Sequence, residues 1–197
     1  MENIDKIIEE LELNNKINRE DIPSIDLYMD QVTQLFENTF SKSKRNEEEK
    51  VLTKTMINNY AKAKLLFPIK NKKYSKEHIM LIHLIYQLKG TLSINDIKVV
   101  LSDLNDKVDL DQTDLELIYD HYINLYDKNV DDFKVDANKL STDVKKEADD
   151  FDKEDQAYIE QVLLIVALVN RSNMYRKLAE KLVDQIPELF NEEEKDE

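Results

Sequence analysis

The chain has 197 residues, a net charge of −14, one glycine, three prolines and no cysteine. A single glycine excludes Gly-rich phosphate loops and dinucleotide fingerprints. The absence of cysteine excludes disulfides, thiolate zinc sites and cysteine nucleophiles. With 41% hydrophobic and 36% charged residues, the composition points to an almost wholly helical chain, long enough to bury a sizeable core.

Residues 2–12 place Ile4, Ile7, Ile8 and Leu11 at helical spacing. A polar stretch and Pro23 follow, and Ser24 or Asp26 is the expected N-cap of a second helix, reaching Phe40. Its stripe runs through Leu27, Tyr28, Gln31, Val32, Leu35, Phe36 and Phe40. Residues 41–49 (SKSKRNEEE) read as a solvated, mobile connection.

Thr53 or Thr55 is expected to cap a helix over residues 54–64, with Met56, Ile57 and Tyr60 inward. Pro68 forbids its continuation. Residues 69–74 (IKNKKY) suggest a small hairpin around Asn71 and Lys72, without the Asn-Gly pair that would make it strong.

Ser75 is the expected cap of a mostly apolar, central helix ended by Gly90 in a C′ role. Ser93 caps the next helix, residues 94–101. Further on, Leu115, Tyr119, Tyr122 and Tyr126 define an amphipathic helix, and residues 128–152 are charge-rich. Two helices are expected last, residues 154–170 and 172–189. The block VLLIVALV in the first reads as core, while Tyr175, Leu178, Leu182 and Ile186 in the second form a stripe for a partner helix. Residues 191–197 are expected to be disordered.

VLLIVALV is the longest apolar run at eight residues, and about 20 are needed to cross a bilayer. The start, MENIDKIIEELEL, is too polar and acidic for a signal peptide. A cytoplasmic protein without a membrane segment is expected. His78 and His83 stand five apart on different helix faces, and His121 is remote. No metal, cofactor or enzymatic activity is expected from these residues.

Charge is not spread evenly. Residues 1–49 carry 6 basic and 13 acidic groups, and residues 91–197 carry 13 and 28. Residues 50–90 carry nine lysines and one acid, Glu77, a net of +8. From Lys50 to Lys76 there are eight lysines and no acid. A basic face on an acidic body is an electrostatic footprint for nucleic acid.

The order over residues 53–101 is informative. A short Lys/Asn-bearing helix leads to Leu65, Leu66 and Pro68, then to a basic loop ending at Tyr74 and Ser75. A long apolar helix ends at Gly90, and Ser93, Ile94, Asp96, Ile97 and Leu101 mark the next. This resembles the winged helix-turn-helix of the mercury-resistance regulator (MerR) superfamily. Lys64 stands where that pattern has glycine, the stretch between Pro68 and Tyr74 is shorter, and the first two helices are further apart. The stretch from IPSIDLYMDQV to KKYSKEHIMLI also resembles the bacterial domain of unknown function 1836, over about residues 22–102.

The MerR resemblance implies an all-α protein with a small basic wing. Its divisions would be an N-terminal helix (1–21), a MerR-like domain (22–104), a C-terminal acidic helical bundle (105–190) and a tail (191–197). It implies a transcriptional regulator that places helix 54–64 and wing 69–74 on double-stranded DNA. The DNA-binding residues would be Lys54, Thr55, Asn58, Asn59, Lys62, Lys70, Asn71, Lys72, Lys73 and Tyr74. Lysines neutralise phosphates, and asparagine amides can read adenine. A homodimer through the C-terminal helices is expected by analogy. The alternative is a helical protein–protein interaction module on the same scaffold.

Overall fold

The computed structural model describes residues 4–193, with side chains as far as Pro187. The described residues form seven α-helices, two short 3-10 helices and one two-stranded ribbon, joined by loops. They fall into two compact units: residues 15–123 with 179–193, and residues 4–14 with 124–178. No helix among the described residues is long and apolar enough to cross a membrane.

In the unit built on residues 15–123, strand β1 (Leu27–Tyr28) leads directly into α2 (Met29–Phe40). The helix buries Val32, Phe36 and Phe40. Helix α3 (Lys54–Lys62) follows, capped by Thr53, whose Oγ1 accepts the Met56 N–H at 3.1 Å. Strand β2 (Lys73–Tyr74) pairs antiparallel with β1, in the register Leu27 to Tyr74 and Tyr28 to Lys73. The expected hairpin within residues 69–74 is thus replaced by a longer-range pairing. Too few residues flank the turn to make two strands, so β2 finds its partner before α2 instead.

Helix α4 (Lys76–Leu88) is central, as its apolar girth predicts, and seven of its thirteen residues are buried. Each buried Ile or Leu stabilises by roughly 1.5–3 kcal/mol, so this helix organises the unit. Both of its histidines are inside: His78 is 3% exposed and His83 0%. Helix α5 (Ile94–Asp109) outruns the expected residues 94–101 and carries the expected Ser93 cap, in a reciprocal box with Asp96.

The connection over residues 41–49 is largely exposed, as expected, but it is tied down by local contacts and leads into a buried pair. The Lys44 ammonium pairs with Glu37, Glu49 closes on the Arg45 N–H at 2.9 Å, and Val51 and Leu52 are buried. Lys89 Nζ donates to the Val51 carbonyl at 3.0 Å.

Gly90 does not use its conformational freedom. No glycine has positive φ; Glu12, Lys64, Asn71, Lys72 and Asp111 do instead. Gly90 follows the C-cap Lys89 at the expected C′ position but without the left-handed conformation usual there, and a Cβ built on it would meet nothing within 4 Å.

The other unit contains α1 (Ile4–Glu10), most of α6 (Leu115–Ala148) and most of α7 (Lys153–Glu193). The charge-rich stretch 128–152 is largely helical, because Val130, Ala137, Val144 and Ala148 give α6 a narrow buried stripe. Tyr126 Oη donates to the Leu13 carbonyl at 2.9 Å, and Asn138 Nδ2 to Asp5 Oδ1 at 2.8 Å. The two helices expected over 154–170 and 172–189 form a single helix of 41 residues. No Gly or Pro separates them, and Asn170 to Asn173 only lower local propensity. Of the expected disordered tail, residues 191–193 are helical, and residues 194–197 lie outside the described residues. VLLIVALV is not core as expected: Leu164 is buried, but Val162, Ile165, Val166 and Val169 are exposed.

Candidate nucleic-acid interface

Helix α3 sorts its side chains by angle. At about 100° per residue, Ile57 and Tyr60 fall together on the buried side. Lys54, Thr55, Asn58, Asn59 and Lys62 share the opposite arc, and all five are exposed. The core therefore fixes which face of α3 meets solvent, and that face carries the amides and ammonium groups.

The helix stops in a Schellman motif. The Leu65 N–H reaches back to the Tyr60 carbonyl at 3.0 Å and the Lys64 N–H to that of Ala61 at 3.1 Å. Lys64 occupies the left-handed position with φ 59°. A glycine is usual there, so the lysine holds this conformation against a steric cost.

The basic loop is a tight turn. The Lys73 N–H donates to the Lys70 carbonyl at 3.0 Å, with Asn71 and Lys72 at φ 53° and 57°. Two successive left-handed residues make this a type I′ turn. Lys70, Asn71 and Lys72 at its tip are exposed. Tyr74 is not available to a ligand: it is 3% exposed and packs in the core. The alternation of β2 decides this, sending Lys73 outward and Tyr74 inward.

One short segment joins helix and turn. The Lys54 ammonium pairs with the Asp30 carboxylate in the first turn of α2. Two residues earlier, the exposed Tyr28 ring receives Lys73 Nζ at 5.3 Å from its centroid. The spacing places Tyr28 on the apolar stripe of the second helix; it lies instead in β1, exposed, and the β1–β2 register sets it beside the turn. Lys62, Lys64, Lys70 and Lys72 are exposed and form no ion pair among the described residues. Lys76 is committed elsewhere, to Glu116 at 2.7 Å. Glu116 also accepts from Arg19 at 2.7 Å, and these two cations hold its carboxyl below the usual carboxylate range.

The loop leaving α3 is fixed by His78. The Ser75 N–H donates to Nδ1 at 3.2 Å, and Nε2 lies 3.2 Å from the Phe67 carbonyl. An amide N–H can only donate and a carbonyl can only accept, so the proton sits on Nε2. The ring lies 3.7 Å from that of Phe67. Burial lowers the His78 pKa, which keeps the ring neutral and both bonds intact.

A cleft of about 560 Å³ lies on the same unit, lined by Phe67, Val108, Leu115 and several carboxylates. Its acids are largely engaged: Glu77 by the Ser75 hydroxyl, Asp114 by the Leu117 N–H and Glu116 by Lys76 and Arg19. Among the described residues no group of three His, Cys, Asp or Glu is placed to hold a metal ion.

No curated protein and no solved structure matches this chain. The family described as domain of unknown function (DUF1836) matches residues 17–122. That span holds β1, α2, α3, the basic turn, α4 and α5, and it is more than half of the chain. The chain belongs to this family.

Proposed function

We propose that this protein is a DNA-binding transcriptional regulator acting in the cytoplasm, with a winged helix-turn-helix of the MerR kind. The polar arc of α3 enters the major groove, where Asn58 and Asn59 read base edges and Lys54 and Lys62 contact flanking phosphates. The turn from Lys70 to Lys73 is the wing and meets the adjacent backbone. The observation that carries this reading is the segment Tyr28–Asp30, which touches Lys54 on one side and Lys73 on the other. It ties helix and turn into one cationic surface. The net negative charge of the rest of the chain repels phosphate elsewhere and orients the protein.

The test is binding to duplex DNA as a function of salt. A surface using about six lysines gives a log–log slope near −5. Replacing Lys62, Lys70 and Lys72 by alanine reduces the slope by about 3 while the helical circular dichroism stays unchanged. A flat slope in the unaltered protein favours an interaction module that binds another protein on this scaffold.

A further inference from the structure

The loop over residues 67–75, which carries the basic turn, is held at both ends by one buried ring. His78 Nε2 donates to the Phe67 carbonyl at 3.2 Å, and the two rings lie 3.7 Å apart. At the other end Nδ1 accepts the Ser75 N–H at 3.2 Å. Between these ends Asn71 and Lys72 both sit at left-handed φ. That conformation is costly for residues other than glycine, so the turn keeps its shape only while its surroundings hold it. The rest of the hold is slight: two residue pairs of β1 and β2, the buried Tyr74 ring, and Lys73 against Tyr28.

Nδ1 has a second neighbour. Ser75 Oγ lies 3.0 Å from it and 2.6 Å from Glu77 Oε2. A hydroxyl carries one proton, and the shorter contact gives it to Glu77. With the ring neutral, Oγ and Nδ1 then meet lone pair to lone pair. With the ring charged, Nδ1 donates to Oγ and Oγ donates to the Glu77 carboxylate, so that chain is fully satisfied. The Ser75 N–H then faces another donor and has no acceptor. Each protonation state thus has its own set of hydrogen bonds, and only the neutral one ties the Ser75 backbone to the ring.

Burial holds the His78 pKa below its ordinary 6.5, against the opposing pull of the Phe67 bond and of three carboxylates. These face the ring from separate elements: Glu77 on α4, Asp26 ahead of β1 and Asp109 at the end of α5. The Tyr74 ring adds an edge contact at 6.0 Å. The Ser75 backbone bond is therefore fully present above pH 6.5 and is lost as pH falls below it.

We propose that Ser75, Glu77 and His78 form a proton-operated latch on the basic turn: the neutral ring holds the Ser75 backbone, and the charged ring releases it and frees residues 69–74 to move. The latch does not rest on the DNA reading, since it opens with or without a duplex. Under that reading, acid withdraws the wing from DNA.

The test uses the full chain, which has no cysteine, with a spin label on Lys70→Cys in the exposed turn. A control label goes on Lys98→Cys, exposed on α5. From about pH 7.5 to about pH 5, the Lys70→Cys spectrum is expected to sharpen reversibly while the Lys98→Cys spectrum stays unchanged. His83, with a pKa of about 4, stays mostly neutral over this range. His78→Gln supplies the comparison. A glutamine three residues after the N-cap accepts the N-cap N–H and does not titrate, so its turn stays closed throughout. His78→Leu loses both bonds and leaves the label mobile at every pH; should it fail to fold, His78→Gln still decides. No sharpening in the parent, equal sharpening in His78→Gln, or equal sharpening at Lys98→Cys overturns the latch. A second arm measures affinity for a random-sequence duplex over the same range. The DNA reading expects the parent to weaken roughly threefold or more relative to His78→Gln. A turn that loosens without that loss counts against the DNA reading and leaves the latch standing.

Discussion

His83 donates from Nδ1 to the Tyr119 hydroxyl at 2.5 Å, and Tyr119 donates in turn to the Ile17 carbonyl at 2.7 Å. Gln87 Nε2 lies 3.2 Å from the other ring nitrogen and supplies its proton. Every member of this buried chain has its partner, and three separate stretches of sequence are tied together by it. Tyr119→Phe removes the central hydroxyl and leaves a buried N–H and a buried carbonyl unpaired. A loss of about 2–3 kcal/mol is expected, measured by urea unfolding at pH 7.

The same histidine sets a pH dependence. Burial lowers its pKa from 6.5 to about 4. Between those values the unfolded chain binds a proton that the folded chain refuses, so unfolding is favoured as pH falls. The contribution is intact above pH 6.5, declines through the interval and is lost below about 4, a total of about 3 kcal/mol. His83→Gln should be less stable at pH 7 and lose less on acidification than the parent. Equal acid slopes for the two proteins would refute the assignment to His83.

Gly90 sits at ordinary negative φ with open space around its α-carbon. Alanine fits there without strain and restricts the unfolded chain. Gly90→Ala is expected to stabilise by about 0.4–1 kcal/mol, read as an upward shift of the thermal midpoint.

Lys64 presents the reverse case, a side chain in a left-handed cap. Lys64→Gly relieves a cost of about 1–2 kcal/mol and adds unfolded-state entropy of about 0.5–1 kcal/mol. Net stabilisation of about 0.5–1 kcal/mol is expected. In the DNA-binding reading the same variant binds duplex more weakly, with the salt slope reduced by about 1. Stability and affinity thus move in opposite directions.

Asp30 neutralises Lys54 at the edge of the cationic surface. The pair is exposed on both sides, so breaking it costs under about 1 kcal/mol. Asp30→Asn should leave folding almost unchanged and raise DNA affinity several-fold at low salt, with a steeper slope. Lys54→Ala should cost less affinity than Lys62→Ala, because Lys62 has no carboxylate partner to release.

The order of most helices and the sorting of α3 into buried and polar arcs follow from local spacing, so the sequence alone determines them. Thr53, Ser75 and Ser93 mark helix starts because short-range chemistry suffices to start a helix. The acid-free run of lysines is likewise visible without coordinates. Long-range pairing decided what spacing cannot. The β1–β2 register put Tyr28 beside Lys73 and turned Tyr74 into the core. Packing took both α4 histidines inside and drew Val51 and Leu52 after an apparently loose connection. The exposure of Val162, Ile165, Val166 and Val169 on α7 was also a tertiary decision. Periodicity says that a face is apolar; what covers that face depends on which surfaces meet when the chain folds.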